Sequence, residues 1–180
     1  ALAEAKLAKE ELFLNGFFDS LTGLPNKAYV EKTLREFIAS DPDRNRPFTL
    51  ISLDVDNLNY VNELKGHETG DTLLCGLSAL LSETVCPPDF AARIGGDDFC
   101  LLLFGKTDAE RKTLVETVRS AVRRSWNLDG ADFFITLSVG LSSYPEAGGD
   151  FLSLLRASDM AMKASKEKGK ARLAVYRESR

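Results

Sequence analysis

Two acidic segments of this sequence combine residue types that could bind a metal. Asp54 ends an apolar run of β-forming residues. Asp97 and Asp98 follow Gly95-Gly96, a short glycine-rich connection between two further apolar runs, which predicts a β-hairpin with carboxylates at its tip. Carboxylate and carbonyl oxygens, such as the carbonyl of Val55, are the ligands that Mg²⁺ prefers. If these segments meet, they could form a metal site for phosphoryl chemistry, although on these residues alone a solvated hairpin turn is the favoured explanation of Gly-Gly-Asp-Asp.

The elements that would position these carboxylates follow one order along the chain. The apolar patterning predicts strand, helix, strand, strand, helix and strand over residues 48–54, 68–85, 90–94, 99–104, 107–126 and 133–142. This is the order of an α+β, ferredoxin-like (βαββαβ) fold, with a central, mostly antiparallel sheet flanked by helices. The third strand of such a sheet lies between the first and second. We therefore expect Asp54 and Asp97 to lie close together.

Further elements flank this unit on both sides. Helical patterns cover residues 1–14, which Asn15-Gly16 should end, and residues 27–40, with Asn26 as the N-cap. A last helix over residues 150–168 and a short strand over residues 173–176 follow the unit. The fold should therefore have an extra N-terminal helix and a C-terminal helix and strand.

Composition excludes several classes of protein. The 180 residues carry a net charge of −4, which gives no global attraction for nucleic acid or anionic lipid. No apolar run approaches the roughly 20 residues of a membrane span, so we expect no direct membrane contact by this domain. Three cysteines form no pairing pattern, which favours a reducing, cytoplasmic setting.

The hairpin sequence Arg93-Ile94-Gly95-Gly96-Asp97-Asp98-Phe99 resembles the signature of the GGDEF family, the diguanylate cyclases. Four further segments are similar to family motifs and occur in the family's order: DSLTGLPNK at 19–27, the segment 54–71, TLSVG at 136–140 and the segment 159–170. A collinear set of five motifs is highly specific. The resemblance covers about residues 17–175.

The resemblance implies a palm-type domain that binds GTP and works as a homodimer. Two GTP molecules would be condensed to cyclic di-GMP and pyrophosphate. Asp54, Asp97 and Asp98 would be the catalytic residues. Asp54, Asp97 and the carbonyl of Val55 would hold Mg²⁺ (or Mn²⁺). Residues 1–16 would then form a signalling or linker helix, and residues 17–180 the GGDEF-like domain.

Other positions would bind the nucleotide. Asn62 and Asp71 would read the guanine edge, because Asp accepts from the N1 and N2 donors of guanine and Asn can both donate and accept. Gly95-Gly96 would let the backbone approach the ligand. Lys166 and Lys170, four residues apart on the last helix, would hold the triphosphate, although a solvated basic helix end has the same sequence.

Three departures from the family pattern leave two hypotheses open. Asp98 stands where the family usually has Glu, which shortens the side chain by one methylene. Asn59 replaces a Lys in the phosphate region. Cys86 replaces the arginine of the inhibitory RxxD motif, which predicts no tight product feedback there. The chain is thus either a cyclase output domain or a degenerate, weak or inactive GGDEF domain that acts as a GTP-binding regulatory or protein-interaction module.

The resemblance also implies a place for this domain in a longer protein. An upstream sensory domain would control the cyclase through dimer geometry. The domain would be cytoplasmic, which is compatible with a membrane anchor elsewhere in the full-length protein. We expect no nucleic-acid partner.

Overall fold

The computed structural model describes residues 1–167 and 173–175. Six helices occur in this part of the chain: α1 (Leu2–Phe17), α2 (Lys27–Ala39), α3 (Leu58–Lys65), α4 (His67–Thr84), α5 (Asp108–Val122) and α6 (Phe151–Glu167). Seven strands accompany them: β1 (Phe48–Val55), β2 (Phe90–Gly95), β3 (Asp98–Phe104), β4 (Arg124–Leu128), β5 (Ala131–Ile135), β6 (Leu137–Tyr144) and β7 (Leu173–Val175).

The main sheet has five strands in the order β2-β3-β1-β6-β7. All neighbours are antiparallel except β6 and β7, which are parallel. β3 therefore lies between β1 and β2, as the element order predicts, and Asp54 is paired with Asp98 across β1 and β3. The α+β fold with a mostly antiparallel sheet and flanking helices is confirmed.

Both faces of the sheet are covered, and β1 shows this best because all eight of its residues are buried. Successive side chains of a strand point to opposite faces. Ile51 and Leu53 lie in a core cluster with residues of α4 and α5, whereas Phe48 and Leu50 lie in a second cluster with residues of α2 and α6. The end of β1 is consequently fixed from both sides.

The helix predicted over residues 107–126 is wrong at its end, and the strand predicted over 133–142 is two strands. α5 begins after the N-cap Thr107 but ends at Val122, and β4 and β5 form a separate two-stranded sheet. Trp126 continues the helical spacing of apolar residues in the sequence, yet it lies on β4. Its indole N–H donates to the carbonyl of Val122 at 3.0 Å, and its ring packs against the core.

Two helix predictions also need correction. The short helix α3 is absent from the predicted elements, and α1 continues through Asn15-Gly16 to Phe17 instead of ending there. The N-cap of α3 is Asn57, a residue type that favours helix starts, but its backbone is left-handed and its side chain makes no cap bond. By contrast, Asn26 caps α2 as expected, since its side chain accepts from the backbone N–H of Tyr29.

The close approach of α6 to β6 determines where the helix crosses the sheet. A Cβ built on Gly140 would lie 2.1 Å from the carbonyl oxygen of Ser158 and 2.4 Å from the backbone nitrogen of Met162. Only glycine permits this contact. On β1, the hydroxyl of Ser52 lies 2.6 Å from the Ser158 hydroxyl. α6 is thus held directly over the strands that end at the acidic residues.

No helix in the described ranges combines the length and the apolar character needed to cross a bilayer.

Candidate functional site

Asp54, Asp97 and Asp98 form one acidic cluster. Their carboxylates each offer an oxygen within 4.8 Å of the others. Asp54 at the end of β1 is 5% exposed, whereas Asp98 at the start of β3 is exposed. The N–H of Val55 lies 3.4 Å from the carbonyl oxygen of Asp97, which ties the hairpin tip to the end of β1. The expected proximity of Asp54 and Asp97 is confirmed.

The hydrogen bonding of Asp54 fits a cation-binding role. Its Oδ2 pairs with the ammonium of Lys166 on α6. Its Oδ1 is buried and accepts no hydrogen bond within the described part of the chain. A buried acceptor without a donor is costly, and a cation at the cluster would satisfy it. Three carboxylates with one unsatisfied buried oxygen match the oxygen ligands that Mg²⁺ or Mn²⁺ takes.

Electrostatics at the cluster point the same way. Partial desolvation, followed by the negative charges of Asp97 and Asp159, raises the pKa of the Asp98 carboxyl to about 6. The ammonium of Lys163 acts in the opposite direction. Like charges that raise a carboxyl pKa indicate local negative potential, which a divalent cation would relieve.

The two lysines predicted to hold a triphosphate have different outcomes. Lys166 lies on the last turn of α6, where it pairs with Asp54 at the acidic cluster. Lys170 lies outside the described residues, and its role stays a prediction.

Gly95 and Gly96 leave open space at the hairpin. A Cβ built on either glycine would meet no atom within 4 Å. Gly96 has a φ of +39°, which L side chains rarely adopt. Both residues are exposed, so the backbone of the hairpin is accessible to a ligand.

Arg93 stabilises this hairpin through hydrogen bonds to its backbone. Its guanidinium donates to the carbonyl oxygen of Gly96 from two nitrogens, at 3.0 and 2.7 Å. The same group pairs with both carboxylate oxygens of Asp19, at 3.0 and 3.2 Å. Asp19 also accepts from the backbone and hydroxyl of Thr22. Arg93 and Asp19 belong to family-like motifs of the sequence, but their positioning role becomes visible only in three dimensions.

Asn62 and Asp71 lie at the junction of α3 and α4, which Gly66 separates. The Oδ1 atom of Asn62 is buried and has no partner among the described residues. A Cβ on Gly70 would lie 1.8 Å from that oxygen, so the amide packs directly on the neighbour of Asp71. Asp71 itself is exposed. A half-buried amide next to an exposed carboxylate offers the donor and acceptor groups that the sequence predicts for guanine.

Asp56 belongs to the same motif as Asp54 but has a structural role. It is 3% exposed and accepts hydrogen bonds from the hydroxyls of Thr136 and Ser138, both at 2.7 Å. Its backbone N–H donates to the carbonyl of Thr136. Both of its oxygens are thus used to join the end of β1 to β6, which no sequence signal distinguishes from a ligand role.

At the position of the family's inhibitory RxxD motif, the remaining acidic residue makes its contacts within the protein. Asp89 is buried, accepts from the N–H of Phe104 at 2.8 Å and pairs with Lys106 at 3.2 Å. Cys86, where the family has arginine, is exposed. The one acidic residue left of that motif therefore serves the fold.

Comparison with solved structures places this architecture among known domains. The coiled coil and GGDEF domain of DgcB from Caulobacter crescentus, in complex with c-di-GMP, gives a TM-score of 0.88 at 26% identity, over 97% of this chain and 93% of that chain. The active GGEEF domain of a diguanylate cyclase from Vibrio cholerae gives 0.77 at 28% identity, over 87% and 99%.

Sequence relatives agree with the structural ones. The bifunctional diguanylate cyclase/cyclic di-GMP phosphodiesterase MucR of Pseudomonas aeruginosa is 30% identical over 91% of this chain and 24% of its own length. The diguanylate cyclase TpbB of the same species is 30% identical over 98% and 42%. The chain spans less than two thirds of the length of each of these relatives. The family described as "Diguanylate cyclase, GGDEF domain" matches residues 16–172, and the chain therefore belongs to the GGDEF family.

Proposed function

We propose that this domain is a diguanylate cyclase that condenses two GTP molecules into cyclic di-GMP and pyrophosphate. The observation that supports this most directly is the acidic cluster of Asp54, Asp97 and Asp98, with a buried Asp54 oxygen that no donor in the described chain satisfies. The cluster lies at the hairpin whose sequence defines the family. The names of TpbB and the Vibrio cholerae domain agree with this activity.

In this proposal Asp54, Asp97 and the carbonyl of Val55 hold Mg²⁺ or Mn²⁺. The bound cation would neutralise phosphate charge and polarise the phosphoryl group. Asp98 completes the carboxylate set. Lys166 faces this cluster through its pair with Asp54 and is placed to neutralise phosphate oxygens when the nucleotide is bound.

The base would be read at the junction of α3 and α4. Asp71 accepts from the N1 and N2 donors of guanine, and the Asn62 amide offers its unsatisfied buried oxygen. Adenine lacks the N1–H and N2 donors, so both groups would be left unpaired. Discrimination against ATP follows from this mismatch.

The reaction requires two copies of the domain, because each binds one GTP. The 3′-hydroxyl of one nucleotide attacks the α-phosphate of the other, a new P–O bond forms, and the bond between the α- and β-phosphates breaks. Pyrophosphate leaves with the bonding electron pair, and the hydroxyl proton is released. Two such transfers close the ring. Activity should therefore rise more than linearly with protein concentration.

We further propose that residues 1–16 form a signalling or linker helix below the GGDEF-like domain of residues 17–180. Residues 1–11 are all exposed, as a helix that pairs with another copy or continues upstream would be. The neighbour from Caulobacter crescentus includes a coiled coil and overlaps 97% of this chain. An upstream sensory domain would act through this helix. We propose a cytoplasmic location for the domain, because GTP as substrate and three free cysteines are both compatible with that compartment.

Asp98 and Asn59 support a second candidate, a GTP-binding regulatory module without catalysis. Both depart from the family pattern in the region that would bind metal and phosphate. The relative PdeR of Escherichia coli, 29% identical, is named a cyclic di-GMP phosphodiesterase. We favour the cyclase because the shorter Asp98 still brings an oxygen within 4.8 Å of its neighbours.

The test is to incubate the purified protein at high concentration with GTP and Mg²⁺ and to detect cyclic di-GMP by mass spectrometry. Asp97→Ala should abolish product, whereas Asp43→Ala, at an exposed aspartate outside the site, should not. Calorimetry with GTP separates the alternatives. Binding without product would establish the regulatory module, and no binding would leave only a protein-interaction role.

A further inference from the structure

α6 presents three charged residues toward the acidic cluster. Asp159, Lys163 and Lys166 are spaced by four and three residues, which places them on one face of the helix. Lys166 pairs with Asp54. Lys163 lies one turn before Lys166, so its side chain is a neighbour of Lys166 on the helix surface. The opposite effects of Asp159 and Lys163 on the pKa of the Asp98 carboxyl agree with this placement. This face of α6 is therefore a wall of the site.

The two lysines on this wall differ in what they already contact. Lys166 is half-buried and its charge is compensated by Asp54. Lys163 is exposed, and no carboxylate oxygen of the described chain lies within 4.0 Å of its ammonium nitrogen, so it forms no ion pair there. Its ammonium can thus meet an anionic ligand without first breaking an ion pair with a described residue.

We propose that Lys163 binds the phosphates of the nucleotide held at the acidic cluster. This inference rests on the proposed function, since it names a further residue of the same nucleotide site. A lysine is a compact point charge with three donors on a flexible stem, which suits phosphate oxygens. The placement of α6 makes this contact specific, because Gly140 and the Ser52–Ser158 hydrogen bond hold the helix against β6 and β1.

Among the described residues of the site, carboxylates outnumber ammonium groups. The three carboxylates of the cluster and that of Asp159 compare with the ammonium groups of Lys163 and Lys166. Such an excess attracts divalent cations but repels a bare triphosphate. An uncompensated ammonium beside the carboxylates lowers that repulsion where the phosphates enter.

The simpler reading is a solvated lysine near the C-terminus of a helix, where cations are favoured. Under that reading, removal of the charge changes stability slightly and leaves nucleotide affinity unchanged. Arg156 provides the matched control, because it is exposed on the same helix and lies two turns, or about 10 Å along the helix axis, before Lys163.

The experiment measures the affinity of the full chain for the α,β-methylene analogue of GTP with Mg²⁺, by calorimetry at several salt concentrations. This analogue cannot be cleaved at the bond that the cyclase breaks. We expect Lys163→Gln to weaken binding about five- to tenfold and to flatten its salt dependence. Lys163→Arg should stay within about twofold of the wild type, and Arg156→Gln should be unchanged.

Three outcomes distinguish the possibilities. Weaker binding by Lys163→Gln with a shallower salt dependence and an unchanged melting temperature supports the proposal. Wild-type binding that Lys163→Gln leaves unchanged, or weakens with the same salt dependence, overturns it while the proposed function stands. Absence of binding by the wild-type protein overturns the proposed function and this inference together.

Discussion

The close packing of α6 on β6 allows the effect of a Gly140→Ala substitution on stability to be estimated. In Gly140→Ala the new methyl group would lie 2.1 Å from the carbonyl oxygen of Ser158, whereas ordinary contact begins near 3.4 Å. Both opposing atoms are backbone, so no side-chain rotation relieves the clash. α6 must move away from the sheet by about 1 Å. Overpacking of this kind costs about 1–3 kcal/mol, or roughly 3–10 °C in melting temperature for a protein of this size.

The same displacement should reach the site, because α6 bears Lys166, which pairs with Asp54. A misplacement of about 1 Å can lower activity by about a hundredfold. Thermal unfolding and the cyclic di-GMP assay measure the two effects on one preparation. Gly16→Ala is the control, since a Cβ there meets nothing within 4 Å. A Gly140→Ala protein with wild-type melting temperature and activity would refute the argument.

Three further predictions follow from other contacts. Gly70→Ala should displace the Asn62 amide, because its Oδ1 lies 1.8 Å from the position of the new Cβ. Calorimetry should then show weaker GTP binding with little loss of stability, since the end of a side chain can move where the backbone cannot. Unchanged affinity would contradict this prediction. Burial raises the pKa of Asp19, but hydrogen bonds from Thr22 and Arg93 lower it more, to a net value below 3.8. The free energy of unfolding should therefore fall as the pH drops below about 4, and Asp19→Asn should be less pH-sensitive there, as acid titrations monitored by circular dichroism would show. Micromolar cyclic di-GMP should leave the initial rate unchanged, since Asp89 is bonded internally; inhibition traced to Asp89 would refute this.

The central sheet and its acidic cluster were predictable because strong local signals mark them. β1 is buried along its whole length and its sequence is dominated by apolar residues, and the glycine pair marks the hairpin that follows β2. Once the strand order is known, Asp54 and Asp98 must be neighbours. The meeting of carboxylates that are more than 40 residues apart is thus a consequence of topology.

Other features needed the folded chain because tertiary contacts override the local pattern. Trp126 keeps the helical spacing of Val115, Val118 and Val122, so the sequence favours a longer helix than the chain forms. The turn at Arg123 lets Trp126 reach the same core from a strand. The structural role of Asp56 likewise needed the folded chain, because the hydroxyls of Thr136 and Ser138 occupy both of its carboxylate oxygens.

The contacts of Arg93 give the molecule a mechanical property. Its guanidinium holds the Gly96 carbonyl on one side and Asp19, two residues beyond the end of α1, on the other. Because the guanidinium is planar and stiff, it behaves as a strut between these points. A rotation of α1 would therefore be transmitted through Asp19 and Arg93 to the hairpin tip. A displacement of α1 would thus change the spacing of the carboxylates in the acidic cluster without altering the core of the domain.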